Sequence, residues 1–274
     1  MSKKYKHNGK GSMASRADRH DLYQRSVQCV EAECDMIDET FRKIRKRSAK
    51  LLREDFCGTA NTSCEWVRRR KSNRAVGVDL DSEVMAWGQK HNIGKLKGSA
   101  AQRIQLIQDD VLKVRTEPVD VVLAMNFSYQ LLQQRKVLRQ YFSRVREALV
   151  NDGVFFLDAY GGYESYRVIK ERTKHKGFTF IWDQAKFNPI THEMTCYIHF
   201  AFPDGSKMKR AFSYEWRMCT LPEIRELLVE AGFSKVTVYW EQTDEETGEG
   251  NGVYLPAEQG DPDPSWVCYL AAEK

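Results

Sequence analysis

Apolar residues recur along the chain in two rhythms, and the change from one to the other divides it. From Asp21 to about Arg47, Leu22, Val27, Val30, Met36, Ile37, Phe41 and Ile44 stand at mostly helical spacings among charged residues. A break of phase near Cys34 predicts two amphipathic helices here. From residue 50 onward short apolar runs alternate with helix-like segments: KLLREDF, a helix through NTSCEWVRRR, AVGVDL, a helix through SEVMAWGQKHN, RIQLIQDD, VDVVLAMNF, a helix through QRKVLRQYFSRVREAL, and GVFFLDAY. Parallel strands need a crossover connection, which a helix supplies, so this alternation predicts a parallel sheet covered on both faces.

After Gly161 the period shortens toward two. FTFIWDQAKF, EMTCYIHFAF and KMKRAFSYEWRM are rich in aromatics, and the turn signal PDGS separates the last two, so an antiparallel insertion is expected. LPEIRELLVEAGF then reads as a helix with Pro222 near its start and Gly232 at its end, leading into KVTVYWE and SWVCYLAAE. The expected fold class is α/β: a seven-stranded, mostly parallel sheet with helices on both faces, an N-terminal helical extension and an antiparallel β insertion after the fifth strand. The expected divisions are a basic tail over 1–15, a helical lid over 16–48, a core over 49–160, a β cap over 161–220, and a closing helix and strands over 221–274.

Composition narrows the class without changing this plan. The 274 residues suit one large domain with additions, and shares of 42% hydrophobic and 30% charged residues exclude a fibre or a disordered chain. No run approaches the roughly 20 apolar residues that span a bilayer, and MSKKYKHNGKGS has no apolar core behind its charge; no membrane association and a cytoplasmic location are expected. The seven cysteines form no CxxC pair, which reads as reduced thiols and no metal. Net charge is a mild +5, concentrated in the first ten residues, RKIRKRSAK at 42–50 and RRRKSNR at 68–74, and these runs read as solvated faces. The segment from Glu241 to Ser265 holds eight carboxylates and no Lys or Arg, and reads as a loop.

Candidate chemistry lies at the strand ends. In LLREDFCGTA an apolar strand runs directly into Cys57, Gly58, Thr59 and Ala60 and then a helix, small residues that let backbone turn sharply against a ligand. About 20 residues on, AVGVDL ends in Asp79 and Leu80, where a carboxylate can accept from both hydroxyls of a ribose. Asp109 and Asp110 end RIQLIQDD; a carboxylate there can accept from an adenine amino group while the next backbone amide serves the ring nitrogen. The first turn lacks GxGxxG, which argues against a nicotinamide enzyme.

In these residues the chain resembles the class I S-adenosylmethionine-dependent methyltransferases, whose motifs run close to VLDLGCGTG, GVDLS and GDAxxLP; here they read LREDFCGTA, GVDLD and QDDVLKV. The likeness covers about residues 50–160 and the last helix and strands. It implies a Rossmann-like sheet, S-adenosylmethionine as cofactor, S-adenosylhomocysteine as product, and no metal. Laid without gaps, it puts Glu54 where the family's acid approaches the methionine end, and Phe56 at the first glycine; Asp55 takes the acid's role if the strand end is kinked. Gly58 becomes the close-approach glycine, Asp79 the ribose ligand, and Asp110 the adenine ligand with Val111 beside it, or Asp109 if the loop shifts by one.

Methyl transfer is an in-line displacement at an activated carbon, so positioning matters more than a nucleophilic side chain. AMNFSYQLL follows the fourth strand and places Asn126, Phe127, Ser128 and Tyr129 at the mouth; it is vaguely like NPPY, but both prolines are absent, which disfavours nucleobases. The aromatic insertion resembles that of small-molecule N-methyltransferases of the glycine/sarcosine and amino-sugar kind. His192, Tyr197, Tyr214, Trp216 and Arg217, with Tyr160, are then candidates for acceptor contacts, each also readable as packing. Tyr23 in DLYQRSVQ becomes a lid residue near the sulfonium, or part of a helix that merely packs. The expected activity is methylation of a small-molecule acceptor, an amine first, with nucleic acid disfavoured and a homodimer left open. The alternatives are an RNA or protein methyltransferase using the basic runs, and a binding module without turnover.

Overall fold

The computed structural model describes residues 11–244, 246–248 and 250–274. Along the chain the first elements are α1 (Met13–Arg16), α2 (Arg19–Ser26), α3 (Val30–Arg45), β1 (Leu51–Asp55), α4 (Asn61–Arg69), β2 (Arg74–Asp79) and α5 (Ser82–His91). Then come β3 (Ile104–Gln108), β4 (Val119–Ala124), α6 (Arg135–Ala148), β5 (Leu149–Gly161), β6 (Ile169–His175), β7 (Phe178–Phe187), β8 (Glu193–Ala201) and β9 (Lys207–Arg217). The chain closes with α7 (Leu221–Glu230), β10 (Lys235–Thr243), β11 (Gly250–Ala257) and β12 (Trp266–Glu273). It divides into two compact units, the larger being Cys29–Tyr166 with Arg217–Lys274, the smaller the residues up to Gln28 with Arg167–Trp216.

In the larger unit the strands lie in the order β11-β10-β12-β5-β4-β1-β2-β3. The run β5-β4-β1-β2-β3 is parallel, while β12 is antiparallel to both β5 and β10. Successive side chains alternate between faces. Leu52, Val121, Leu123, Val154 and Phe156 pack with Cys34, Ile37 and Phe41 of α3 and with Trp66 of α4. Val78, Val122, Phe155 and Leu157 pack on the other side with Tyr141 and Phe142 of α6 and Leu227 of α7. Burial on both faces is why these strands read as continuous apolar runs. The sheet has eight strands where seven are expected. The additional one, β11, comes from the acidic segment read as a loop: as an exposed edge paired only to β10, it keeps its carboxylates in water, and Tyr254 anchors it on Tyr269, ring centroids 4.7 Å apart.

The smaller unit is a four-stranded sheet, β6-β7-β8-β9. Its core gathers Phe178, Ile198, Phe200 and Ala211 against Leu22 of α2, with Tyr23 and Phe212 alongside. The two helices expected over 16–48 are found, but the break falls at 27–29 rather than near Cys34, which lies buried within α3; α2 packs here and α3 on the large sheet. Residues 13–16, expected within a tail, form a helical turn whose Met13 and Ala14 amides donate to Asp204 (2.8 Å) and Ser206 (3.1 Å); residues 1–10 lie outside the described residues. Strand β6 has no apolar alternation to announce it, being an edge with almost every side chain exposed. Among the described residues no helix is long and apolar enough to cross a membrane.

Candidate functional site

At the carboxyl end of β1 the backbone turns through three left-handed residues, Phe56 (φ 56°), Gly58 (50°) and Ala60 (53°). Two of them are not glycine, and the left-handed region costs an L-residue roughly 1–2 kcal/mol. Packing holds them there: the Phe56 ring lies against Tyr141, centroids 5.7 Å apart, and Ala60 is fully buried. Phe56, where the resemblance expects a glycine, thus takes a left-handed conformation that glycine adopts readily. A Cβ on Gly58 would meet only Val84, at 3.9 Å, so the loop opens onto free space.

Three of the residues expected to hold the nucleoside, Gly58, Asp79 and Asp109, are linked by hydrogen bonds. The Gly58 amide donates to Asp79 Oδ2 at 2.7 Å, and the Asp79 carbonyl accepts from the Asp109 amide at 3.1 Å. The other Asp79 oxygen accepts from the Asp81 amide at 2.9 Å. Burial raises the Asp79 pKa, an effect the amides oppose. Each oxygen keeps a lone pair for a further donor. Leu80 is 68% exposed, an apolar surface beside the carboxylate on which a flat base can lie. Asp110 accepts from the Leu112 amide at 2.9 Å and faces Lys113 at 3.6 Å, Asp109 accepts from the Asp110 amide at 2.7 Å, and Val111 is buried. Open space over Gly58, carboxylate acceptors and an apolar shelf fit the nucleoside of S-adenosylmethionine.

Alternation along β1 separates its two acids. Glu54 lies on the α3 side, where it accepts from the amide (2.9 Å) and hydroxyl (2.5 Å) of Ser63; burial pushes its pKa up to about 7. Asp55 points the other way, into a buried ion pair with Arg53 (2.7 Å) and a hydrogen bond from Tyr141 (2.9 Å). It cannot take over the role of Glu54, since no kink turns it out of the core.

Two further carboxylates share the α3 side. Asp158, at the end of β5, accepts from the backbone amides of Asn126 (2.7 Å) and Phe127 (2.9 Å), holding both in left-handed conformation (φ 58° and 57°). Burial pushes Asp158 up to about 7, and the negative charge of Glu33 adds to the rise. Glu33, in the first turn of α3, is itself buried, has one carboxylate oxygen with no partner among the described residues, and is raised to about 7 by burial. Glu33 also raises Glu54 and Tyr269, so these groups share one neighbourhood. Neither Asp158 nor Glu33 is among the sequence candidates. An acid inside the apolar run GVFFLDAY is a readable signal for Asp158; Glu33 is one of many acids on an amphipathic helix and gives none.

Of the acceptor-side candidates in the larger unit, Phe127 and Tyr160 lie together, ring centroids 4.6 Å apart, and Ser128 donates to the Met125 carbonyl at 2.8 Å. Tyr129 is fully buried against Phe142, a packing residue rather than one at a mouth. Arg217 pairs with Glu223 at 2.9 Å, so its charge is already matched. In the smaller unit Tyr23 stacks near Phe212 (4.9 Å), Tyr214 near Trp216 (4.6 Å), and Tyr197 under Arg210 (4.5 Å). His192 occupies the β7–β8 turn with φ 59°, its ring 5.7 Å from that of Phe187. Among the described residues no group of His, Cys, Asp and Glu is arranged to hold a metal.

No family model matches the chain. A curated protein of Geobacillus sp. (strain WCH70), whose name describes a methyltransferase, is 25% identical over 224 residues, 78% of this chain and 85% of the relative. Among solved structures, an S-adenosylmethionine-dependent methyltransferase from Clostridium acetobutylicum superposes with a TM-score of 0.67 at 16% identity, covering 93% of this chain and 96% of the other. An amino pentose methyltransferase from Micromonospora echinaspora, solved with S-adenosylmethionine, gives 0.64 at 15% identity, covering 93% and 96%. A sugar N-methyltransferase from Streptoalloteichus gives 0.61 at 14%, covering 99% and 98%.

Proposed function

We infer that this chain, a class I S-adenosylmethionine-dependent methyltransferase, passes the methyl group to the amine of a small molecule. The cofactor supplies a methyl carbon activated by its positively charged sulfur. The chain's own part is to hold the nucleoside at Gly58 and Asp79, to exclude water, and to receive and deprotonate the amine. The observation that carries the reading is the group of buried carboxylates, Glu33, Glu54 and Asp158, on one side of the strand ends.

Burial disfavours the charge of all three and raises them, and the negative charge of Glu33 adds to the rise of Glu54 and Asp158. A cation brought among them relieves both penalties. An ammonium acceptor is such a cation, and it must lose a proton before its nitrogen lone pair can attack. Glu33, with an unpartnered oxygen and a pKa raised to about 7, is suited to take that proton near neutrality. The paired rings of Phe127 and Tyr160 add aromatic surface that attracts a cation. The amino pentose and sugar N-methyltransferases among the structural neighbours are in keeping with an amine acceptor.

The test is transfer of a labelled methyl group from S-adenosylmethionine to a panel of small primary and secondary amines, amino sugars included, beside total RNA and a protein lysate. Label is expected in a small amine, with Glu33→Gln lowering turnover while S-adenosylhomocysteine still binds. Label appearing only in RNA or protein would overturn the reading.

A further inference from the structure

We propose that the face of the β6–β9 sheet opposite α2 binds single-stranded nucleic acid, whatever the acceptor of the methyl group. The basic runs at 42–50 and 68–74 are poor candidates, because the fold matches their arginines to carboxylates: Arg45 to Glu273, Arg47 to Asp152, Arg69 to Glu65 and Arg70 to Asp38. The cations of the smaller unit are arranged differently.

Strand registers place Lys170, Asp183 and Tyr197 in one row across β6, β7 and β8, and Arg172, Ile181 and His199 in the next. Lys207, Lys209 and Arg210 of β9 complete a groove of about 360 Å³ on this face. Lys209 and Arg210 are consecutive, and in a regular strand they would point to opposite faces. Here Arg210 takes φ 50°, and both line the groove. This non-glycine left-handed residue is held in two ways: its amide donates to His199 Nδ1 at 2.8 Å, and its guanidinium lies 4.5 Å from the Tyr197 ring centroid.

Charge in the groove is left unbalanced. The only carboxylate lining it, Asp183, is met by Lys170 at 2.8 Å and by His199 Nε2 at 3.0 Å. Since His199 Nδ1 accepts a backbone proton, Nε2 must be the protonated nitrogen and the ring is neutral. Arg172, Lys207, Lys209 and Arg210 have no carboxylate within ion-pairing distance among the described residues.

These cations stand on the two edge strands, three strand spacings or about 14 Å apart, at intervals of about 7 Å for alternate residues along a strand. A positive rail of Lys207, Lys209 and Arg210 on β9, faced across the sheet by Arg172 on β6, beside the Tyr197 ring suits a chain that carries phosphates along its length and offers base faces to stack. An acidic peptide would meet the charge but make no use of Tyr197 under its arginine. A single nucleotide would engage one edge only.

The full-length protein is titrated into a fluorescently labelled ten-nucleotide oligouridylate, and anisotropy is followed at several salt concentrations. Log affinity is expected to fall against log salt with a slope of about −2 to −3, as for three or four phosphates neutralised on a single strand. Arg172→Ala with Lys209→Ala should weaken binding at least tenfold at low salt and flatten the slope by about 1.4. Tyr197→Leu should weaken the oligonucleotide but not polyglutamate of equal charge. Both variants should keep calorimetric binding of S-adenosylhomocysteine, which shows them folded and leaves the methyl-transfer reading untouched. The proposal fails if the oligonucleotide does not bind, if the double variant binds it as well as the parent, or if polyglutamate or duplex binds as tightly.

Discussion

Asp158 is the residue whose replacement separates stability from function most sharply. Asp158→Asn removes the charge and turns an amide N–H₂ toward one of the two backbone donors, Asn126 N–H and Phe127 N–H, that the carboxylate now holds. Hydrogen bonds to a charged group contribute roughly 1.5–3 kcal/mol each, and one survives in neutral form, so the clamp loses about 2–3 kcal/mol. Global stability responds in the opposite sense. Keeping the carboxylate ionised in the core, with its pKa raised from 3.8 to about 7, costs on the order of 4 kcal/mol at about 1.4 kcal/mol per tenfold in proton affinity. A raised carboxyl stabilises fully below its unfolded value, and that contribution is lost as pH climbs through the folded one. The parent should therefore lose stability between about pH 4 and pH 7, and Asp158→Asn should flatten part of that decline. At pH 8 the variant should melt no lower than the parent. Hydrogen exchange at the amides of residues 126 and 127 should nonetheless accelerate by about 30- to 100-fold, the equivalent of the lost clamp, and turnover should fall at least tenfold. Unchanged protection of both amides in a folded Asp158→Asn protein would refute the clamp.

Asp79→Ala should weaken S-adenosylmethionine binding by about one to two orders of magnitude, from charge-assisted bonds of roughly 1.5–3 kcal/mol, with Asp79→Asn intermediate; calorimetry checks the order. Asp55→Ala leaves Arg53 charged and buried with Tyr141 unpaired, so a loss of about 3–5 kcal/mol is expected by chemical denaturation, whereas Arg53→Met with Asp55→Leu should recover most of it. Gly88→Ala puts a methyl group into the Thr59 carbonyl, 2.7 Å from its carbon, and should lower stability by about 1–3 kcal/mol while loosening cofactor binding through the 57–60 loop. Each is read against the parent at the same pH and salt.

Periodicity is a local property of the chain, and what depends on periodicity alone was legible. The alternation of apolar runs with helical segments predicts the parallel sheet, though not its order β5-β4-β1-β2-β3, which only the structure gives, and the shift to period two marks the antiparallel insertion. The placing of Asp79 and Asp110 at strand ends follows from where apolar runs stop. Pleating even decides between Glu54 and Asp55, but only once it is known which face each of their neighbours occupies; a strand buried on both sides gives no such clue. Phe56 in a glycine position looks like a lost site in sequence, because φ is invisible there; the structure shows the glycine conformation kept by packing on Tyr141.

What joined residues distant along the chain was decided by tertiary structure alone. Glu33 and Asp158 are 125 positions apart in the sequence, and only the packing of α3 on the strand ends brings the charge of Glu33 close enough to raise the proton affinity of Asp158. The basic runs at 42–50 and 68–74 read as solvated faces, with nucleic acid left only as an alternative, because sequence does not show which carboxylates the fold lays beside them. The groove on β6–β9 went unseen for the converse reason: its cations come from separate strands, none of them forming a run. Charge is additive along a chain, but the field that a ligand meets depends on which charges folding has already paired.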